Sequence, residues 1–336
     1  MFDVAVIIPT YNRARLIAAA LDSVLAQSYP GRIEAAVVDD GSSDDTAAVM
    51  QPYLAQYRNE AGKVVIRYTR LEKQGVVTAR NTAIAQTTAP LVAFLDSDDY
   101  WHADKLRLQI EVLNADAQIG LVHTGFRYVN EAGEMADDGP QRVDNPCHGD
   151  RGKCVNVLMD EDLVIFSSVL ARRSVIAQAA AAEPHGLPFD PRWTNAQDYD
   201  LLLRCARLCA FVYLSAPLTY YRLHGGHGAM GNFKRAFGFH GRVQLDFAKR
   251  WGKDVGIDEA DAHRRVAAFL YSRAHSHFWQ RRLDVCRQLC DLAEELGVSD
   301  ERFAELYRKA SRPAWMYRVK DRVDRLLGRN LEVRNS

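Results

Sequence analysis

Short apolar runs and longer amphipathic stretches alternate through the first hundred residues. Val4–Ile8, Ala35–Val38, Val64–Tyr68 and Leu91–Leu95 are brief, largely apolar and not alternating. Such runs predict strands buried on both faces of a parallel sheet. Between the first two, Arg13–Gln27 carries Leu16, Ile17, Ala20, Leu21, Val24 and Leu25 at i, i+3, i+4 spacing, the stripe of a core-facing helix. Ser42 or Ser43 can cap a second helix, which opens with Asp44 and Asp45 and ends near Tyr57. A third, Val76–Ala85, follows Gly75. Strand–helix alternation of this kind marks parallel βαβ units, so the expected class is α/β, a Rossmann-like, mostly parallel sheet flanked by helices.

The residues that end these strands bring chemistry into the picture. Thr10 to Asn12, Asp39-Asp40 and Asp96-Ser97-Asp98-Asp99 all fall at one edge of such a sheet. In open α/β sheets that carboxyl edge is where ligands sit. Asp96, Asp98 and Asp99 repel one another, and no basic residue stands next to them in sequence. A hard divalent cation, Mg²⁺ or Mn²⁺, would relieve the repulsion, since such ions take oxygen ligands and share substrate phosphates. The bland alternative is a solvated acidic turn capping a helix that starts near Ala103. Five acids on one rim weigh against it and point to a phosphorylated, cation-assisted ligand. The turn after the first strand holds no GxGxxG, and no Walker A lysine loop occurs, which argues against a nicotinamide enzyme or a P-loop phosphotransferase.

Beyond residue 102 the pattern predicts a helix over Lys105–Leu113, a strand over Leu121–Tyr128 and a loop from Glu131 to Gly152 in which His148 is solvated. Leu163–Ala171 is apolar, a helix runs from Asp198 through DYDLLLRCARLC, and Phe211–Leu214 is a strand leading into YRLHGG. Phe233–Trp251, Glu259–Trp279, Leu283–Leu296 and Glu301–Arg329 read as helices, an α-helical C-terminal extension. The expected organisation is therefore 1–110, 111–230 and a helical 231–336.

Composition narrows the class. The chain has 336 residues, and its 43 Lys plus Arg balance 43 Asp plus Glu, so no global field draws it to nucleic acid. Cys147, Cys154, Cys205, Cys209, Cys286 and Cys290 form no CxxC pair and read as buried reduced thiols rather than zinc ligands. No signal peptide opens the chain, and no apolar run reaches membrane-spanning length, so a cytoplasmic protein is expected. Residues 312–329 interleave Trp315, Tyr317, Val319 and Leu326 with Arg318, Lys320, Arg322 and Arg325. A basic amphipathic helix of this type can lie on the inner face of a cell membrane, or else dock on its own domain.

VIIPTYNR, VVDDGSSDDT, GVVTARNTAIA and AFLDSDDYW, in this order and spacing, resemble the family 2 glycosyltransferases. The resemblance is dense over residues 3–110 and sparser to about residue 228. It implies a GT-A fold and inverting transfer from a nucleotide-diphospho-sugar, UDP-linked by preference, to a saccharide or lipid-linked saccharide acceptor of a bacterial envelope polysaccharide. It also implies roles. Asp40 would hydrogen-bond the base, Pro9, Thr10 and Tyr11 would shape the nucleotide pocket, and Asp39 would support it. Arg80 would approach the base or diphosphate, and Asp96 the ribose. Asp98 would hold the Mn²⁺ or Mg²⁺, with Asp96, Asp99 and His224 as alternative ligands and His224 also near the diphosphate. Asp198 would be the general base. Gln197 departs from the Glu that often precedes that acid, which bears on acceptor recognition. Rival readings are a nucleotidyltransferase, disfavoured by the missing glycine-rich basic loop, and a non-catalytic sugar-nucleotide-binding scaffold.

Overall fold

A computed structural model describes residues 1–59, 61–141, 147–160, 164–223, 233–313 and 315–317. The chain divides into two compact units, Met1–Gly228 and Ala229–Ser336.

The first unit is built on one nine-stranded sheet. Its parallel half comprises β1 (Val4–Thr10), β2 (Ile33–Asp39), β3 (Val64–Arg70) and β4 (Leu91–Phe94). Every residue of β1, β2 and β4 is buried, as their largely apolar character requires of strands covered on both faces; the exception inside β2, Glu34, accepts the Thr88 and Ala89 amides. The covering helices are α1 (Ile17–Leu25), α2 (Thr46–Tyr57) and α3 (Val76–Ala85). Ile17, Leu21 and Val24 of α1 pack with Val6, Ile8, Val37 and Leu106 in one continuous core. Helix α1 begins at Ile17 rather than Arg13, because the residues before it form a turn held by hydrogen bonds to the 42–46 segment.

The second half of the sheet is mixed. A short strand, β5 (Tyr100–Trp101), leads into α4 (Lys105–Ala115), β6 (Ile119–Val129), β7 (Met135–Gln141) and α5 (Arg151–Asp160). Then come β8 (Leu170–Arg172), α6 (Arg173–Ala181), α7 (Gln197–Ala206) and β9 (Ala210–Arg222). The strand order is β3-β2-β1-β4-β8-β6-β9-β5, with β7 on β6. Strands β4 and β8 pair antiparallel, as do β8 and β6, whereas β6 and β9 run parallel. The loop expected over 131–152 is corrected in part: Met135–Gln141 pairs with β6, and α5 starts at Arg151. Its polar composition, MADDGPQ, hid an edge strand, where backbone pairing on one side needs no apolar alternation.

The second unit is helical: α8 (Phe233–Val255), α9 (Glu259–Trp279), α10 (Leu283–Glu295) and α11 (Glu301–Ala310). Leu270, Ala274, Cys286, Leu289, Phe303 and Leu306 form its core. Asp258 and Asp300 cap α9 and α11 by accepting the Asp261 and Arg302 amide protons. The long helix expected to Arg329 stops at Ala310, before the Ser311-Arg312-Pro313 break; residues 318–329 lie outside the described residues. All six cysteines are buried thiols.

Candidate active site

Register puts the polar strand ends side by side. Thr10 pairs with Asp39 and Asp39 with Arg70, while Ile7 pairs with Phe94, one residue before the Leu95-Asp96 step. Pro9 and Thr10 are buried at the end of β1, and Tyr11 is exposed beside them, its hydroxyl accepting a 2.9 Å hydrogen bond from Lys73 Nζ. The Lys73 ammonium lies 4.1 Å from the Tyr11 ring centre. Asn12 takes a positive φ of 52°, tolerable for Asn, and its Oδ1 accepts the Ser43 amide at 2.8 Å.

The two acids ending β2 are buried and fully engaged. Asp39 accepts the Ser42 amide at 2.7 Å and the Tyr68 hydroxyl at 2.5 Å. Burial first, then that bond to Asp39, pushes the Tyr68 phenol up. Asp40 accepts the amides of Gln74 at 2.6 Å and Gly75 at 2.9 and 3.0 Å. Gly75 has φ 94° at the mouth of α3, a conformation only glycine adopts cheaply, and its amide would otherwise be an orphan of the helix start. Asp40 therefore fixes where α3 begins, and with it where Arg80 stands.

Arg80 is 3% exposed. Its guanidinium lies against the rings of Phe166 and Phe189, at 4.9 and 5.5 Å from their centres, and those two rings meet edge to face. Nη2 donates to Asp96 Oδ1 at 2.6 Å, and Nη1 faces Asp198 Oδ2 at 4.0 Å with no hydrogen-bond partner. Asp198 stands in the first turn of α7, just after Ala196, whose φ of 61° turns the chain into the helix. A non-glycine residue held there stores about 1 kcal/mol or more of strain. Asp96 and Asp198 thus meet across one guanidinium. Gln197, beside Asp198, is buried, and its Oε1 has no partner.

The three acids after β4 take different neighbours. The sequence shows no nearby base, yet the fold supplies Arg13, whose Nε and Nη2 lie 3.3 and 3.2 Å from Asp98 Oδ2. Asp99, 2% exposed, accepts Ser167 Oγ at 2.6 Å and the Arg222 amide at 3.0 Å. Burial, then the nearness of Asp98 and Asp96, lifts the Asp99 carboxyl well above its ordinary value. Loss of hydration in the cleft raises Asp96 too, against the downward pull of Arg80. Tyr221 of β9 lines the same place, for burial and then Asp99, Asp96 and Asp98 push its phenol up.

Asp96 therefore stands near Asp98, Asp198 and Arg80 at the carboxyl end of the parallel half, and Asp40 is tied to the start of the helix that carries Arg80. His224 lies outside the described residues. Arg13, Lys73, Tyr68, Ser167, Tyr221 and Arg222 were not singled out from sequence. Arg13 carried a signal as a cation in the turn after the first strand, and Tyr221 and Arg222 as part of the YRLHGG block. Asp96, Asp98 and Asp99 do not converge into a closed cage; among the described residues the only such convergence is Glu183, His185 and Asp190. That group is an ion-pair knot. Leu187 N–H donates to His185 Nδ1, which leaves the proton of a neutral ring on Nε2, and Arg192 and Arg204 already serve the acids. A cation shared with substrate phosphates would need one or two protein carboxylates, and Asp98, paired with Arg13, would be the one to hold it.

A mixed α/β sheet whose parallel half ends in acids, answered by an acid from a later helix, defines a chain of GT-A fold. Over 90% of this chain and 83% of its own length, S. aureus TarS 1–349, solved with UDP-GlcNAc, superposes with a TM-score of 0.62 at 18% identity. Residues 5–143 match the family model Glycosyl transferase family 2. An uncharacterized glycosyltransferase of Nostoc sp. is 29% identical over 241 residues, 68% of this chain and 66% of that protein. The amylovoran biosynthesis glycosyltransferase AmsB of Erwinia amylovora is 29% identical over 223 residues, 65% and 69% of the two chains. The chain spans between 21% and 66% of the length of the first curated relatives it matches.

Proposed function

We propose that this chain is an inverting glycosyltransferase of bacterial polysaccharide synthesis, moving a sugar from a nucleotide-diphospho-sugar, UDP-linked by preference, to an acceptor hydroxyl. The observation that carries the reading is the Arg80 bridge, which joins an acid of the nucleotide-side rim, Asp96, to an acid of the α7 start, Asp198. The TarS complex with UDP-GlcNAc and the amylovoran biosynthesis role of AmsB support the donor and acceptor classes.

Asp198 takes the acceptor proton as the hydroxyl attacks the anomeric carbon, which inverts in a single displacement. A positioned base of this kind contributes about 10²- to 10⁴-fold. Arg80, 4.0 Å from the Asp198 carboxylate, keeps it aimed. Asp98 would hold the divalent cation, Mn²⁺ or Mg²⁺, which supplies neutralisation of charge on the departing nucleoside diphosphate. Asp96 serves the ribose, and Asp99, with both oxygens occupied, props the loop that carries Asp98. Pro9, Thr10 and Tyr11 shape the base pocket, whose floor Asp39 and Asp40 brace. The acceptor is a saccharide or lipid-linked saccharide, met by a cytoplasmic catalyst at the inner membrane face; among the described residues no helix is long and apolar enough to cross a membrane.

A thermal-shift panel of nucleotide sugars with Mn²⁺, followed by metal-dependent hydrolysis of the stabilising donor, tests the proposal. Asp198→Asn is expected to keep donor affinity and lose turnover by about a hundredfold or more. A fully active Asp198→Asn protein would refute the base, and no shift with any nucleotide sugar would refute the donor class.

A further inference from the structure

The four large hydrophobic side chains that the second unit exposes among its described residues are Trp279, Tyr307, Trp315 and Met316. Two of them, Trp279 and Met316, belong to one corner, and Trp315 precedes Met316 in the chain. Trp279 ends α9 with 46% of its surface exposed, and Trp315 and Met316 follow α11 at 63% and 41%. A depression of about 260 Å³ there is lined by Phe278, Trp279, Arg281, Lys309, Met316 and Tyr317, with Arg312 at its edge. The Trp279 indole N–H donates to His275 Nε2 at 3.0 Å, so its polar edge is satisfied within the protein while the ring stays open to solvent. Arg281 takes φ 62° at the end of α9, and its guanidinium sits over the Tyr317, Trp279 and Phe278 rings at 5.0, 5.7 and 5.9 Å.

Aromatics beside cations on one exposed corner describe the chemistry of the lipid headgroup boundary. Indole rings settle at that depth, and long basic side chains lie along the apolar surface with their heads toward phosphate. Charge points the same way. The whole chain is neutral, yet this corner presents Arg281, Lys309 and Arg312, of which Lys309 is paired with Glu305 at 2.6 Å. The sequence that follows adds Arg318, Lys320, Arg322, Arg325 and Arg329 against Asp321 and Asp324. We propose that the Trp279–Arg281–Trp315–Met316 corner is a peripheral docking surface for an anionic bilayer. The docking needs no particular enzymatic activity, so its test is independent of the catalytic reading. A second copy of the chain, the other occupant such a corner could take, lacks the complementary charge, because two like basic faces repel.

The full chain is mixed with vesicles of phosphatidylcholine, with or without phosphatidylglycerol, at low and high salt. Expected are sedimentation with the anionic vesicles only, loss of binding as salt rises, and quenching of tryptophan emission by brominated acyl chains. Trp279→Ala/Trp315→Ala is expected to weaken partitioning about tenfold or more, and Arg281→Gln/Arg312→Gln to weaken it with anionic vesicles. Equal pelleting with both vesicle types, no quenching of the native chain, or unchanged partitioning of a folded double-tryptophan variant would overturn the proposal. So would concentration-dependent dimerisation that the tryptophan variant abolishes. Since quenching is read on the native chain, a variant that fails to fold still leaves the proposal decided.

Discussion

Arg80→Met is the most informative perturbation, because one side chain joins both sides of the cleft. Methionine keeps an apolar stem against Phe166 and Phe189 and removes only the guanidinium. What is lost is a 2.6 Å charge-assisted bond to Asp96 and the 4.0 Å pairing with Asp198. Removing one partner of a fully buried ion pair costs about 3–5 kcal/mol. Arg80 is buried to that degree, but the Asp96 and Asp198 side chains are 36% and 33% exposed, so water recovers part of the loss. The net cost is then about 2 kcal/mol. For a unit of this size that lowers the melting temperature by about 4–8 °C.

The kinetic consequence separates two roles. If Arg80 acts through Asp198, Arg80→Met should lower kcat about 10²-fold in the native background and far less in Asp198→Asn, because the group it aims is already gone. Loss of the cation also leaves Asp96 and Asp198 facing each other, so the acid limb of the pH–rate profile should move to higher pH. Denaturant midpoints, kcat/KM for the four members of the cycle and the pH profile are the measurements. Additive losses with an unmoved acid limb would show that Arg80 serves the donor alone, and an unchanged unfolding midpoint would show that the bridge is not a stabilising contact.

Arg13→Gln should tighten Mn²⁺ binding to the nucleotide-free protein about fivefold, since a half-exposed pair worth about 1 kcal/mol no longer competes for Asp98; calorimetry giving equal affinities would exclude that competition. Asp99→Asn should flatten the pH dependence of stability in the cation-free protein. With its carboxyl raised above 3.8, the folded state holds a proton the unfolded chain has released, so stability falls as pH rises from 3.8 through the raised value. A variant whose denaturant midpoints follow the native slope would contradict this. His123 runs the other way. Burial lowers it from 6.5 to about 4, so its contribution is complete above pH 6.5 and is lost as pH falls through about 4. The 2.5-unit difference amounts to about 3 kcal/mol, which urea midpoints of His123→Gln should recover at acid pH.

The parallel half of the sheet was legible because its physics is local. Strands buried on both faces are largely apolar, and polar residues follow at their ends, so the run of apolar residues located β1 to β4 and the acids that follow β2 and β4. Asp198 was legible only through the family resemblance, since a first-turn aspartate is by itself an ordinary helix start. What stayed hidden is whatever long-range contact decides. Nothing around Asp98 announces Arg13, which arrives from the turn after β1, and nothing around Arg80 announces that Phe166 and Phe189 will grip it. Lys105 shows the limit plainly. From its spacing it is a polar position of an amphipathic helix, yet it is buried against the Trp101 ring at 4.0 Å, donating to Gln109, and burial pushes its ammonium well below the ordinary range. The sheet is a pattern of single residues, whereas the site is a set of pairs. A pair becomes visible only when the fold has decided which charges must share a cleft, and here it assigned Arg13 to Asp98 and Arg80 to Asp96 and Asp198.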